Sequence, residues 1–171
     1  MPVSDEVVAA AERGEEEAVL AWLEGGGRVD ATYERGGRAN TARENGGVTG
    51  VTLLMDAAGQ GHERVAALLL QYGAQVNLQD SDGGTALISA AQVGHERVVK
   101  LLLKRGAEVD MQSSSGLTAL MGAAADGHER VVELLLQHGA KINLQNSNGG
   151  TALVHAAGKG HERVVELLIR H

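Results

Sequence analysis

Cysteine is absent from the 171-residue sequence, proline occurs once, and aromatic residues make up only 2% of the chain. Without cysteine there is no disulfide framework and no thiolate for zinc, iron–sulfur or nucleophilic chemistry, so packed apolar surface has to stabilise the fold. No apolar run approaches the roughly 18 residues that cross a bilayer, and the first residues lack the basic and apolar parts of a signal region. The sequence therefore predicts a soluble, cytoplasmic protein with no membrane partner.

The net charge of −7 is unevenly distributed. Residues 1–30 hold eight acids against Arg13 and Arg28, which leaves −6 there and −1 for the rest of the chain. Acids crowded at one end of an elongated molecule are typical of a solvated cap, and an acidic docking patch for a basic partner is the alternative. Because we identify no Lys/Arg cluster that would neutralise many phosphates, the sequence does not predict nucleic acid as a partner.

The dominant feature of the sequence is an internal repeat. The pentapeptide Gly-His-Glu-Arg-Val recurs with a constant spacing of thirty-three, at 61–65, 94–98, 127–131 and 160–164. The tripeptide Thr-Ala-Leu recurs in the same register, at 85–87, 118–120 and 151–153. A repeat of this length and composition leaves few architectures open, and all of them stack similar units.

Residues that begin and end helices predict two short helices within one unit. Thr85 can cap a helix over residues 86–92 by accepting a hydrogen bond from a free backbone N–H, and Gly94 can end it in the left-handed conformation. A second helix follows through residues 96–104, and its apolar stripe is wide enough to be covered on two sides. Because one helix pair cannot bury that stripe alone, neighbouring copies must stack against it and build a solenoid.

From residue 50 to the end, the chain resembles the ankyrin-repeat family. It follows the pattern Gly-x-Thr-Pro-Leu-His-x-Ala-Ala-x-x-Gly-His-x-x-Val-Val-x-Leu-Leu-Leu-x-x-Gly-Ala-x-Val-Asn, with a looser match over residues 5–30. The proline of that pattern is replaced by Ala86, Ala119 and Ala152, and apolar residues replace the first histidine. These apolar replacements can pack, so the resemblance implies an all-α fold, an ankyrin-repeat solenoid of helix-turn-helix units with short hairpin-like turns.

A single ankyrin-repeat domain is expected to span residues 1–171. Its expected parts are a degenerate N-terminal repeat (1–30), a loop insertion (31–49), three full repeats (50–82, 83–115 and 116–148) and a last repeat without an evident polar cap (149–171). Since terminal units normally turn a polar face outward, the last repeat suggests a fragment of a longer array or an end covered by a second copy.

Four histidines occupy one position in successive units, namely His62, His95, His128 and His161. Adjacent packed helices lie about 8–10 Å apart, which is too far for neighbouring histidines to share a zinc ion. We expect each of them to help start the second helix of its unit. No nucleophile motif and no phosphate-binding loop is present, so the sequence predicts no catalytic residue, no metal site and no cofactor.

The resemblance implies a non-catalytic protein–protein interaction module or scaffold. Ankyrin-like proteins bind partners with their hairpin tips and with the concave face formed by their first helices. The candidate contacts are Asp82 and Leu117 at the tips; Asp56, Gln60, Ser89, Gln92, Asp126, His155 and Lys159 on the concave face; and Tyr33, Arg35, Arg38 and Arg43 in the insertion. The acidic bias of the face and tips favours a polar or basic protein partner.

Two alternatives remain open at this stage. The insertion is either a solvated Gly-rich loop or a binding loop that offers one aromatic and three guanidinium groups. The whole chain is either an interaction module or a self-associating repeat array, which would form homodimers or larger homo-oligomers through its apolar C-terminal face.

Overall fold

A computed structural model describes residues 3–35 and 48–171, which form ten helices and two strands. The helices are α1 (Asp5–Arg13), α2 (Glu16–Glu24), α3 (Leu53–Gly59), α4 (Glu63–Gln71), α5 (Ala86–Val93), α6 (Glu96–Lys104), α7 (Ala119–Ala125), α8 (Glu129–Gln137), α9 (Ala152–Gly158) and α10 (Glu162–Arg170). The strands are β1 (Thr32–Arg35) and β2 (Val48–Thr52). Within these described residues, no helix is both long and apolar enough to cross a membrane.

The helices form two layers. The odd-numbered helices α1, α3, α5, α7 and α9 contact one another in that order, and the even-numbered helices α2 to α10 do the same. Each odd-numbered helix also contacts the even-numbered helix that follows it. Corresponding helices of consecutive units therefore lie side by side, and the predicted solenoid is confirmed.

Threonine and glycine delimit the first helices as the sequence predicted. The Thr85 hydroxyl accepts a hydrogen bond from the backbone N–H of Ile88 at 3.1 Å, and Thr52, Thr118 and Thr151 cap α3, α7 and α9 in the same way. Gly94 follows α5 with a φ of 86°, a conformation that residues with a Cβ rarely adopt.

The repeated histidines act differently from the expectation. Each stands at the start of a second helix, yet none of these side chains in the described structure caps it. Instead, Nε2 of His95 lies 3.1 Å from the carbonyl oxygen of Gly59, and Nε2 of His128 lies 3.0 Å from that of Gln92, both in the preceding unit. Since a carbonyl oxygen only accepts, each histidine donates this hydrogen bond and ties two units together.

Glycine makes room for these histidine rings. A Cβ placed on Gly94 would lie only 2.5 Å from Nδ1 of His128, and the pairs formed by Gly61 with His95 and by Gly127 with His161 are similarly close. A Gly-His dipeptide that another unit follows therefore makes two contacts. Its glycine packs against the histidine ring of the next unit, and its histidine donates to a backbone carbonyl of the preceding unit. The sequence prediction missed this role, which depends on contact between units.

The insertion expected at residues 31–49 begins and ends in paired backbone. β1 and β2 are antiparallel, with Thr32 opposite Thr52 and Tyr33 opposite Val51, so a two-stranded ribbon is added to the helical fold. The ribbon continues into the hairpin tips, since the N–H of Ser81 donates to the carbonyl of Thr49 at 2.8 Å. Further along the stack, Ser114 donates to Asp82 and Ser147 to Ser115 with the same distance.

One apolar core runs along the stack of described units. Alanines of the first helices, such as Ala90 and Ala91, are fully buried, which allows these helices to approach closely. The core ends at the last helix pair, where Val154 is 58% exposed and Ile169 is 69% exposed. Apolar side chains of α9 and α10 are therefore exposed at this end of the described stack.

Candidate functional site

The first helices carry most of the side chains that the sequence assigned to the concave face. Gln92, Asp126 and Lys159 are exposed, and Gln60, Ser89 and His155 are half-buried. These residues lie on, or directly after, consecutive helices that contact one another, so they belong to one continuous surface. We call this the groove surface and define it by Gln60, Ser89, Gln92, Val93, Asp126, His155 and Lys159.

Two of these candidates bind each other. Nζ of Lys159 donates to a carboxylate oxygen of Asp126 at 3.0 Å, and the two residues occupy the ends of first helices in consecutive units. The pair joins these units and is largely exposed, so it contributes at most about 1 kcal/mol to stability. The sequence prediction offered both residues as separate contacts, but a partner would meet them as one ion pair.

His155 is also held by a hydrogen bond, from Asn146. The side-chain Nδ2 of Asn146 lies 3.1 Å from Nε2 of His155, while Oδ1 of the same side chain accepts from the N–H groups of Asn148 and Gly150. Because an amide nitrogen only donates, Nε2 of His155 accepts this bond and its proton sits on Nδ1. A partner that approaches this end of the groove surface therefore meets an imidazole of fixed orientation.

Asp56 does not lie on the surface that the sequence assigned to it. It shares its repeat position with Ser89 and His155, yet it is 0% exposed. Burial, followed by the nearby negative charge of Glu12, raises the pKa of the Asp56 carboxyl to about 7. Periodicity gives the place of a residue within its unit, but not what covers it, and the accessibility predicted for Asp56 is wrong.

The predicted tip residues have different environments. Asp82 is exposed, and its backbone carbonyl accepts from Ser114. Leu117 is half-buried and packs against the core, and its N–H donates to the hydroxyl of Ser113 at 3.1 Å. Asp82 is therefore the more accessible of the two.

The insertion candidates are only partly described. Tyr33 is half-buried against the core, and its buried hydroxyl has no hydrogen-bond partner within the described ranges. Its ring therefore faces inward, although the sequence prediction offered it to a partner. Arg35 lies in β1 with its backbone paired to Val48, whereas Arg38 and Arg43 lie outside the described residues.

A group of basic residues escaped the sequence analysis, which found no Lys/Arg cluster. Arg97, Lys100, Lys104 and Arg105 are all exposed on or directly after α6, on the layer of even-numbered helices. We call these four residues the basic cluster. The spacing of 97, 100 and 104 is the signal that could have found it, since residues three and four apart share a helix face.

No group of three or more His, Cys, Asp or Glu side chains within residues 3–35 and 48–171 could hold a metal ion. The repeated histidines contact backbone carbonyls of neighbouring units, so their regular spacing has a structural explanation.

The geometry defines a class of protein, the helical-repeat solenoid, in which units with constant buried residues present varied exposed ones. The comparison with protein families identifies the particular family. The family model described as ankyrin repeats (3 copies) matches residues 7–113 and 105–171, so the chain belongs to the ankyrin-repeat family. A search of curated proteins found no match.

Proposed function

We propose that this chain is a non-catalytic interaction module that binds a protein partner through the groove surface. Ankyrin repeats generally mediate protein–protein interactions, which supports the proposal. The observation that carries the proposal is the row of residues at the ends of the first helices, where Gln60, Val93, Asp126 and Lys159 occupy one repeat position. An amide, an apolar group, an acid and a base follow one another there.

Packing does not account for that variety. A nearby position on the same helices is a buried alanine, at Ala58, Ala91 and Ala124, each 0% exposed. Val93 is 53% exposed in the middle of the row, between polar residues. An exposed apolar side chain within a polar surface is the arrangement that anchors a binding partner.

The groove surface offers a partner less negative charge than the sequence suggested. A polar or basic partner was expected from the acids, but Asp56 is buried and Asp126 is paired with Lys159. We propose a mostly polar partner segment that carries an apolar side chain for Val93. The tip residue Asp82 extends the same surface toward the hairpins.

Val93→Glu tests this proposal against Gln71→Glu, which adds the same charge to an exposed site on α4. Proteins captured by the wild-type chain are identified, and the affinity of the main partner is measured for both variants. Val93→Glu is expected to weaken binding about tenfold or more, while Gln71→Glu leaves it within about twofold. Equal affinities of the two variants for that partner would exclude the groove surface.

Arg38 and Arg43 keep their proposed role as additional contacts from the insertion. The double variant Arg38→Ser/Arg43→Ser is compared with the wild type for the same partner. Weaker binding, with the sensitivity to Val93→Glu retained, would support a second contact. Unchanged binding would leave the insertion as a solvated loop.

A second candidate function is self-association through the C-terminal face, favoured by the exposure of Val154 and Ile169. Their counterparts Met121 and Leu136 are 1% and 8% exposed, so this face has the composition that packs against another unit inside the stack. A second copy would cover the face with its own. Sedimentation equilibrium of the wild type and of Ile169→Glu tests this: an oligomer dissociated by the substitution supports it, and a monomeric wild type excludes it.

A further inference from the structure

The basic cluster stands on one face of α6. Arg97, Lys100 and Lys104 are spaced by three and four residues, which places their side chains along one side of the helix, and Arg105 follows at its end. All four are exposed. The spacing from 97 to 104 corresponds to about 10 Å along the helix axis.

No other second helix of the four repeats that carry Gly-His-Glu-Arg-Val has a comparable charge. The segment 96–105 holds four cations against Glu96, a net charge of +3. The equivalent segments 63–72, 129–138 and 162–171 have net charges of 0, −1 and 0 with histidine counted as neutral. The cluster is therefore a departure from the repeat.

The difference in charge between α6 and the other second helices centres on Lys100. On α8, Arg130 pairs with Glu133 at 2.5 Å, and on α10, Arg163 pairs with Glu166 at 3.1 Å. Lys100 occupies the repeat position of those two glutamates, so Arg97 lacks the partner that Arg130 and Arg163 have. Within residues 3–35 and 48–171, no ion pair joins any member of the basic cluster to an acid.

Helix stability accounts for only part of this arrangement. Cations in the last turn interact favourably with the helix dipole, which explains Lys104 and Arg105. Lys100 lies in the middle of α6 and repels Arg97 and Lys104, because like charges three or four residues apart are unfavourable. A bound anion would relieve that repulsion.

We propose that the basic cluster binds a short acidic segment of a partner protein, on a surface separate from the groove. A short segment fits because the positive charge is bounded along the stack: the equivalent segment of the next unit, 129–138, has a net charge of −1. A long polyanion that ran across the units would gain no attraction there. On the other side, Tyr72 is 44% exposed directly after α4, at the repeat position of Arg105, and offers an aromatic group in the preceding unit.

Lys100→Glu is the natural test, since it restores the Arg–Glu pairing of α8 and α10. The probe is a synthetic peptide of alternating glutamate and glycine, and its affinity is measured by fluorescence anisotropy at low salt and at about 0.3 M NaCl. Lys141→Glu is the control, because Lys141 is exposed and lies outside the helices, and its substitution changes the net charge equally. This substitution also removes the ion pair between Lys141 and Asp110. Far-UV circular dichroism checks that both variants are folded.

Lys100→Glu is expected to weaken peptide binding about tenfold at low salt, whereas Lys141→Glu changes it less than about twofold. Equal weakening by both variants would overturn the proposal, since binding would then follow net charge alone. So would the absence of wild-type binding, or tighter binding of a single-stranded oligonucleotide of the same charge. Self-association of the wild type at low salt that Lys100→Glu abolishes would also overturn it, in favour of the acidic residues 1–30 of a second copy.

Discussion

The last helix pair and the pair before it contain similar side chains that are buried to very different extents. Met121 on α7 is 1% exposed, whereas Val154, at the same repeat position on α9, is 58% exposed. Leu136 is 8% exposed and its counterpart Ile169 is 69% exposed. The difference comes from the neighbouring unit, so burial in this fold is a property of the stack and not of one unit.

The N-terminal helix pair shows another solution at the opposite end. Val19 and Leu23 of α2 are buried, while Glu16, Glu17 and Glu24 on the same helix are exposed. The acidic excess of residues 1–30 therefore includes a solvated helix face, which fits both a solvated cap and an acidic docking patch. One end of the described stack is polar and the other is apolar.

The largest expected effect on the free energy of unfolding is a difference between Leu136 and Ile169, which occupy the same repeat position. Leu136→Ala should lower the free energy of unfolding by about 3 kcal/mol, because it removes a buried side chain and leaves a cavity. Ile169→Ala should lower it by less than about 0.5 kcal/mol, because the side chain is already exposed. Urea unfolding at low protein concentration measures both values. Equal losses would mean that the two positions have the same environment.

Two glycines separate the cost of backbone strain from the cost of a lost contact between units. Gly94 and Gly160 have φ values of 86° and 76°, but only Gly94 has the ring of a following histidine against it. Gly160→Ala should cost about 1 kcal/mol from backbone strain alone. Gly94→Ala should cost about 2 to 3 kcal/mol, since the His128 ring must also move. If chemical unfolding gives the same loss for both, the inter-unit contact is not energetically significant.

The polar end has its own sensitive position in Asp56, whose carboxyl makes the free energy of unfolding depend on pH. The folded protein holds the Asp56 proton up to about pH 7, whereas the unfolded chain releases it near the ordinary value of 3.8. The stabilising contribution of this proton is thus complete below pH 3.8 and lost as the pH rises toward about 7.

Asp56→Asn removes that titration. Relative to the variant, the wild type should lose stability progressively between about pH 4 and pH 7, and the difference should stay constant above that range. Thermal unfolding of both proteins across this range measures the difference. A difference that does not depend on pH would show that Asp56 is ionised throughout.

Most of the fold was predictable because it depends on residues close together in the sequence. Thr85 and Gly94 mark the ends of α5 through local hydrogen bonds and backbone conformation, and the constant repeat length carries that pattern along the chain. The ribbon of β1 and β2 was not predicted, because each strand is short and its partner lies across the insertion.

The surface was less predictable because it depends on what neighbouring units cover. The repeat pattern placed Asp56 beside Ser89 and His155, but could not show that Asp56 is buried. The inward orientation of Tyr33 also arises from packing that the sequence does not reveal. The basic cluster was visible in the spacing of its residues on α6, and comparison of the second helices would have revealed it.

The most direct test of the shared buried layer is a double-mutant cycle between Gly94 and His128, which belong to consecutive units. The free energy of unfolding is measured for Gly94→Ala, His128→Ala and the double variant. If the units touch as described, His128→Ala should relieve the clash, so that Gly94→Ala costs about 1 kcal/mol in that background and the coupling is about 1 kcal/mol or more. Strictly additive effects would contradict the contact between successive units.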